Sequence, residues 1–306
     1  MSDLHPFPDG PQAASALAER LGGQLHGDDR PVHGVAALPS ADARALAWTG
    51  SRRLRDPCGA GVLLTDRLHP DRTCILVDHP LRAFGQLLRQ LFPEELGEGV
   101  HPTAVVHPTA RLGAGVQIGA GCVVGAEVVL GEGTRLFPNV TVYPGTRIGA
   151  RCRIHAGAVL GADGFRYAPG PHGPERIPQL GRLILEDEVE VGANACIDRG
   201  GLGDTRIGRA SKLDNLVQVG HNSTLGQAVV VAGQAGLAGS VVVEDGAQIG
   251  GQAGIADHRT IGAGARVGAQ SGVARDVGAG ETVLGTPAMA ARLVRRLWVS
   301  WRRQDR

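Results

Sequence analysis

The sequence predicts a mainly β chain whose residues 100–286 wind into a left-handed parallel β-helix, and three observations carry that expectation. An aliphatic residue returns at every sixth position, glycine supplies 47 of 306 residues, and aromatics make up only 3%. The first sets a repeat, the second supplies corners, and the third excludes a core built on large rings.

From Val100 the aliphatic positions run Val106, Leu112, Ile118, Val124, Leu130, Leu136, Val142, Ile148, Ile154 and Leu160. A short run follows at Leu185, Val191 and Ile197; after a four-residue slip the period resumes at Ile207 and holds to Val273, so that 26 residues keep the spacing. A helix of about 3.6 residues per turn drifts out of step with six, and each interior glycine would cost it about 1 kcal/mol. Ordinary strands accept the period but not a glycine beside nearly every apolar residue. A triangular coil satisfies both: each hexad makes one short strand and one corner, about 18 residues close a coil, and stacked coils pair as parallel sheets. A disordered Gly/Ala tract would lack the strict aliphatic position. The period breaks at 162–181, which holds four prolines, and again at 200–204; both read as loops leaving corners, where binding residues commonly sit.

The flanking segments differ. Residues 1–11 read as a flexible N-terminus, and 12–99 as a small α/β domain. There GAGVLLTD and TCILVD mark short buried strands, and apolar positions 81, 84, 87, 88, 91 and 92 mark an amphipathic helix. Residues 287–306 read as a helix begun by Pro287, with six arginines against one aspartate. Its apolar side chains would pack on a neighbouring subunit, or its basic face would dock an acidic partner.

A net charge of +1 argues against a nucleic-acid partner. The five cysteines (Cys58, Cys74, Cys122, Cys152, Cys196) form no Cys-x-x-Cys pair, so neither a disulfide framework nor a metal knuckle is expected. No stretch is apolar enough for a membrane span and the first residues lack a signal-peptide pattern, which gives a cytoplasmic expectation. Lys212 is the only lysine among 31 basic residues.

His221, in LDNLVQVGHNSTLG, lies two positions after an inward aliphatic residue, Val219. Gly239 follows it by 18 residues, one coil on, and His258 by 37, two coils plus one residue. The arrangement suits acyl transfer: an imidazole takes a proton from an attacking amine or hydroxyl, and a backbone N–H beside it stabilises the oxyanion. Asp214, a hexad and one residue earlier, is placed to orient the ring. Two other readings stand beside this one. A single histidine is more often a hydrogen-bonded structural residue, and histidines on trimer faces can hold zinc, although Ala263 stands where a third ligand would be expected.

GADGFRY (161–167), IPQLGRLILEDEVEVGANACIDRG (177–200) and LDNLVQVGHN (213–222), in that order, resemble the UDP-3-O-acylglucosamine N-acyltransferases of lipid A biosynthesis, and the resemblance covers nearly the whole chain. It implies a homotrimer with active sites in the clefts between adjacent β-helices. It implies transfer of a 3-hydroxyacyl chain from acyl carrier protein to the 2-amino group of a UDP-3-O-acylglucosamine. No metal or cofactor is implied, because the donor's phosphopantetheine thioester is already activated. Carried over by motif, His221 is the general base with Asp214 as its partner, and Gly239 supplies the oxyanion N–H. Asn215 and Gln218 lie in or near the site, and His258 contacts the phosphopantetheine arm or substrate. In the uridine-gripping stretch of the N-terminal domain, here Leu46 to Leu54, Trp48 remains to stack on the base, while the family's asparagine and tyrosine are replaced. Those replacements keep open an acyltransferase of the same scaffold that uses acyl-coenzyme A on another amino sugar. A non-catalytic trimeric scaffold is the third reading.

Overall fold

The computed structural model describes residues 3–50, 58–92, 97, 99–285, 296–297 and 299–300. The chain divides into two compact units, residues 1–95 and 96–306.

In the first unit four parallel strands (Gly34–Val35, Ala45–Trp48, Val62–Thr65, Thr73–Leu76) form the centre of a six-stranded sheet. His5–Pro6 and Gln24–His26 pair antiparallel at its edges. The strands expected in GAGVLLTD and TCILVD are buried along almost their whole length, as parallel strands covered on both faces are. The helices Ala14–Arg20 and Pro80–Leu91 share one core with them; Leu17, Leu46, Leu64, Ile75 and Leu87 are fully buried there. Two details depart from expectation. Leu81, counted on the apolar face, is 60% exposed in the helix's first turn. Residues 5–7, expected to be flexible, are ordered: His5–Pro6 is an edge strand and Phe7 is buried in the same core.

In the second unit, two- to four-residue strands stack into three parallel sheets. Sheet I runs from Arg111–Leu112 to Thr260–Ile261, sheet II from Gln117–Ile118 to Thr282–Val283, and sheet III from Val105–Val106 to Gly272–Val273. Successive coils are 18 residues apart, as in Val219 opposite Leu237. The spacing stretches to 37 across the long loop (Leu160 opposite Ile197) and to 22 across the short one (Ile197 opposite Val219). The long loop is itself ordered as a hairpin of Tyr167–Gly170 and Gly173–Arg176.

Two columns of side chains fill the prism. The aliphatic column is the one the period marks; the second lies two residues earlier and holds small or β-branched groups such as Val217, Cys122 and Thr134. Its hydroxyls tie coils together: Thr134 Oγ1 donates to Gly149 O at 2.7 Å and accepts the Cys152 N–H at 3.0 Å. Ser211 and Ser223 repeat that pattern. Cys122 and Cys152 are filler in this column, and burial pushes the Cys152 thiol up to about 11.

Most corners contain one residue of positive φ, frequently not glycine: Asn222 (62°), Ser240 (59°) and His258 (55°) stack on one corner. The glycine directly after an inward aliphatic residue has a different cause. A Cβ on Gly220 would sit 2.7 Å from the carbonyl carbon of Ala238, so that position is kept empty by the coil above. The helix expected over 287–306 lies almost wholly outside the described residues.

Leu136 is fully buried while Val123, on the outer face, is 44% exposed. Leu136→Ala is expected to destabilise the solenoid by about 2–5 kcal/mol, and Val123→Thr by no more than about 0.5 kcal/mol. Urea unfolding monitored by circular dichroism reads both.

Candidate active site

His221 sits at the corner where sheet III passes to sheet I, between the strands Gln218–Val219 and Thr224–Leu225. The coil above places Gly239 against its ring: a Cβ built there would lie 2.8 Å from His221 Cε1 and 2.9 Å from Nε2. Two backbone bonds hold that stack, Ser240 N–H to His221 O at 2.8 Å and His258 N–H to Gly239 O at 3.1 Å. Among the described residues the Gly239 N–H has no acceptor, so a free donor stands beside the imidazole.

The other ring nitrogen is held by the adjacent residue. Asn222 Oδ1 accepts the Gly201 N–H at 3.0 Å and lies 3.1 Å from His221 Nδ1. An amide oxygen cannot donate, so in the neutral ring the shared proton is assigned to Nδ1 and the lone pair to Nε2, the nitrogen nearest Gly239. The short loop, through Gly201, thereby sets the tautomer.

The long loop forms another wall. A Cβ on Gly164 would lie 2.8 Å from His221 Cβ, 2.9 Å from its Cδ2 and 3.0 Å from Asp198 Oδ2. Only glycine fits there, and Gln179, itself buried, fixes it. Gln179 accepts the Gly164 N–H at 3.1 Å and donates to Gly164 O at 2.7 Å. Arg176 pairs with Asp163 beside it.

Asp198 completes the cluster. It lies one coil below the corner, its Oδ1 accepting from Gln218 Nε2 at 3.1 Å. Burial raises its pKa from 3.8 to about 6, against the opposing effects of the Gln218 hydrogen bond and the His221 charge.

The expected site residues therefore fall into groups. His221, Gly239 and His258 share one corner column; His258, one position further round its turn, is exposed. Gln218 reaches the group through Asp198. Asp214 does not orient His221 within one chain. It occupies the preceding corner, where its carboxylate accepts the Asn215 N–H at 2.7 Å and the Gly233 N–H at 3.0 Å. The physical reason is the coil's geometry: one hexad is one-third of a turn, so seven residues move a side chain to the next corner. Asn215 is a corner cap as well, accepting the Ala193 N–H at 2.6 Å. Asp214 and Asn215 border a separate concavity of about 550 Å³ that includes His155, Glu190 and Lys212. Lys212 donates to Glu190 at 2.8 Å and to Glu188 O at 2.9 Å. Trp48 ends a central strand of the first unit, partly buried against that unit's core. Of the stretch after it, residues 51–57 lie outside the described residues. Among the described residues no three metal-ligating side chains gather.

Sequence reasoning missed Asp198, Gln179, Gly164 and Asn222 as site residues, although all four lie in the quoted motif blocks. A signal existed for Asp198. It directly follows an inward aliphatic residue, where the next coils at that corner carry Gly220, Ala238 and Ala256.

Residues 127–162 match the family described as bacterial transferase hexapeptide (six repeats). The UDP-3-O-acylglucosamine N-acyltransferase of Anaeromyxobacter dehalogenans (strain 2CP-C) is 45% identical over 306 aligned residues, covering 89% of this chain and 86% of its own. That of Granulibacter bethesdensis is 36% identical, covering 92% and 91%. Among solved structures, a Francisella novicida UDP-N-acetylglucosamine acyltransferase superposes with a TM-score of 0.57 at 27% identity, over 65% of this chain and 73% of that one. Likeness of this extent makes the protein an acyltransferase and its solenoid left-handed. The chain belongs to the UDP-3-O-acylglucosamine N-acyltransferase family.

Proposed function

We propose that the protein transfers a 3-hydroxyacyl chain from acyl carrier protein to the 2-amino group of a UDP-3-O-acylglucosamine, as a cytoplasmic step of lipid A biosynthesis. The observation that carries this reading is the pairing of the His221 Nε2 lone pair with the unoccupied Gly239 N–H. The acceptor amine attacks the thioester carbonyl while Nε2 takes its proton. The developing oxyanion accepts from the Gly239 N–H, and collapse expels the thiolate, which recovers the proton from the imidazolium. The thioester supplies the activation, so no metal or cofactor is called on. His258 would meet the phosphopantetheine arm, a role supported by its exposure next to the Gly239 corner. Trp48 is the candidate to stack on the uracil.

The working form in this reading is a homotrimer with each site shared between two copies. What supports sharing is the placement of Asp214: it lies at a different corner from His221 in one chain, beside a concavity that also holds Asn215 and Lys212. Sharing requires that, in a three-fold assembly, that corner face His221 of the next copy.

His221→Ala is expected to lower kcat by about 10²- to 10⁴-fold with an unchanged urea midpoint. Asn222→Ala, which releases the tautomer lock, is expected to lower kcat about ten-fold, the equivalent of one hydrogen bond. Steady-state assays with UDP-3-O-acylglucosamine and 3-hydroxyacyl carrier protein measure both. A His221→Ala enzyme at full rate removes the mechanism. Sharing is tested by refolding an equal mixture of His221→Ala and Asp214→Ala chains. Random trimers regain roughly a quarter of the wild-type sites if the two residues act from different copies, and none if they act within one.

A further inference from the structure

We infer that Asp198 is the anchor for the acceptor's amino group: its carboxylate pairs with the ammonium form, takes the first proton from it, and so selects an amine over a hydroxyl acceptor. This deepens the proposed reaction and rests on it.

The carboxylate of Asp198 is an unmatched charge. Asp198 is partly buried between the long-loop Gly164, the strand residue Gln218 and the His221 ring. Among the described residues it pairs with no arginine or lysine. The guanidinium next to it in sequence, Arg199, is turned away and donates to Gly181 O at 2.8 Å and Pro144 O at 3.5 Å. The titratable groups facing Asp198 are His221, on the turn above, and Cys196, on its own strand. Neither is a fixed cation. Gln218 satisfies Oδ1, while Oδ2, the oxygen beside Gly164 and His221, has no hydrogen-bond partner among the described residues. A carboxylate taken out of water is normally paired, so this one is built for a cation that arrives.

The chemistry of N-acylation supplies that cation. An amino sugar reaches the enzyme largely as an ammonium, which has no lone pair with which to attack. Two protons must leave the nitrogen: one to free the lone pair, and a second as the C–N bond forms. His221 Nε2 accounts for the second, returning it to the thiolate as the C–S bond breaks. Asp198 accounts for the first, RNH3+ and carboxylate becoming RNH2 and carboxyl, and the proton is then released to solvent. A carboxyl held near 6 by burial is a better match for that transfer than an ordinary one, and it is ionised at neutral pH. A hydroxyl acceptor carries no such charge and gains nothing from the pair.

Asp198→Asn is the informative variant, because the amide oxygen can still accept from Gln218 and the coil stays intact. Calorimetric binding of UDP-3-O-acylglucosamine and of its 2-hydroxyl counterpart, UDP-3-O-acylglucose, is measured at pH 6.5 for both proteins, alongside turnover from pH 6 to 9. In the variant the amine ligand is expected to weaken about 10- to 100-fold while the hydroxyl ligand is unchanged. The loss in kcat/KM is expected to shrink as rising pH makes the acceptor neutral. Equal weakening of both ligands, or a pH-independent loss, would mean a structural role and overturn the inference. Unchanged binding and rate would overturn it too. Wild-type protein that binds neither ligand fails the parent reaction as well, and that failure shows in the unmutated enzyme rather than the variant.

Discussion

Everything in the second unit depends on the backbone pairing of one coil with the next. The outward amide of each strand donates to the carbonyl one coil on, as in Gln218 N–H to Ala235 O at 3.0 Å and Gly220 N–H to Leu237 O at 2.8 Å. These bonds bring the coils so close that a side chain directly after an inward aliphatic residue often has no room, which is why glycine recurs there. A single coil cannot bury its own apolar face, so the stack is the unit of stability. It also holds residues distant in sequence at a separation that rotamer freedom cannot change.

The active corner uses that rigidity in a particular way. His221 belongs to one coil, Gly239 to the next and Asp198 to the one below, so the base, the oxyanion donor and the neighbouring carboxylate are positioned by three separate turns. The two excursions then close in from the side. Gly201 of the short loop binds Asn222 and sets the ring tautomer, while Gly164 of the long loop, clamped by Gln179, packs against the imidazole. Elsewhere the same device is purely structural: Asp187 and Asp245 each cap a corner amide of an adjoining coil. Position on a corner, rather than residue type, separates a cap from a reacting group.

The prism was legible in the sequence because its cause is local and periodic: one aliphatic residue per hexad, unbroken from Val100 to Leu160. His221, Gly239 and His258 were legible for the same reason, since spacings of one coil and of two coils plus one residue bring them to one corner. What escaped depended on the excursions. Asp198 precedes Gly220, the neighbour of His221, by 22 residues, and only after the four-residue slip is subtracted does it fall one coil below. Gln179 and Gly164 meet across a non-repetitive hairpin that no period describes. Asp214 illustrates the opposite error, where nearness in sequence suggested a contact that the three-sided cross-section forbids within one chain. The second inward column was hidden because Ser, Thr and Cys fill it alongside Val and Ala, and hydropathy alone does not register them as core.

In the proposed reaction the imidazole of residue 221 and the amide of residue 239 act as one catalytic unit because the coil stack presses them together. A double-mutant cycle with Gly239→Ala and His221→Ala, read as kcat/KM, tests it directly. The added methyl would intrude 2.8 Å from His221 Cε1 and displace the ring, while the residue-239 N–H itself remains. Gly239→Ala alone is expected to lower kcat/KM about 10²-fold, and adding it to His221→Ala is expected to lower the rate little further. Losses that multiply in the double variant would contradict the claim, since the two residues would then be acting independently.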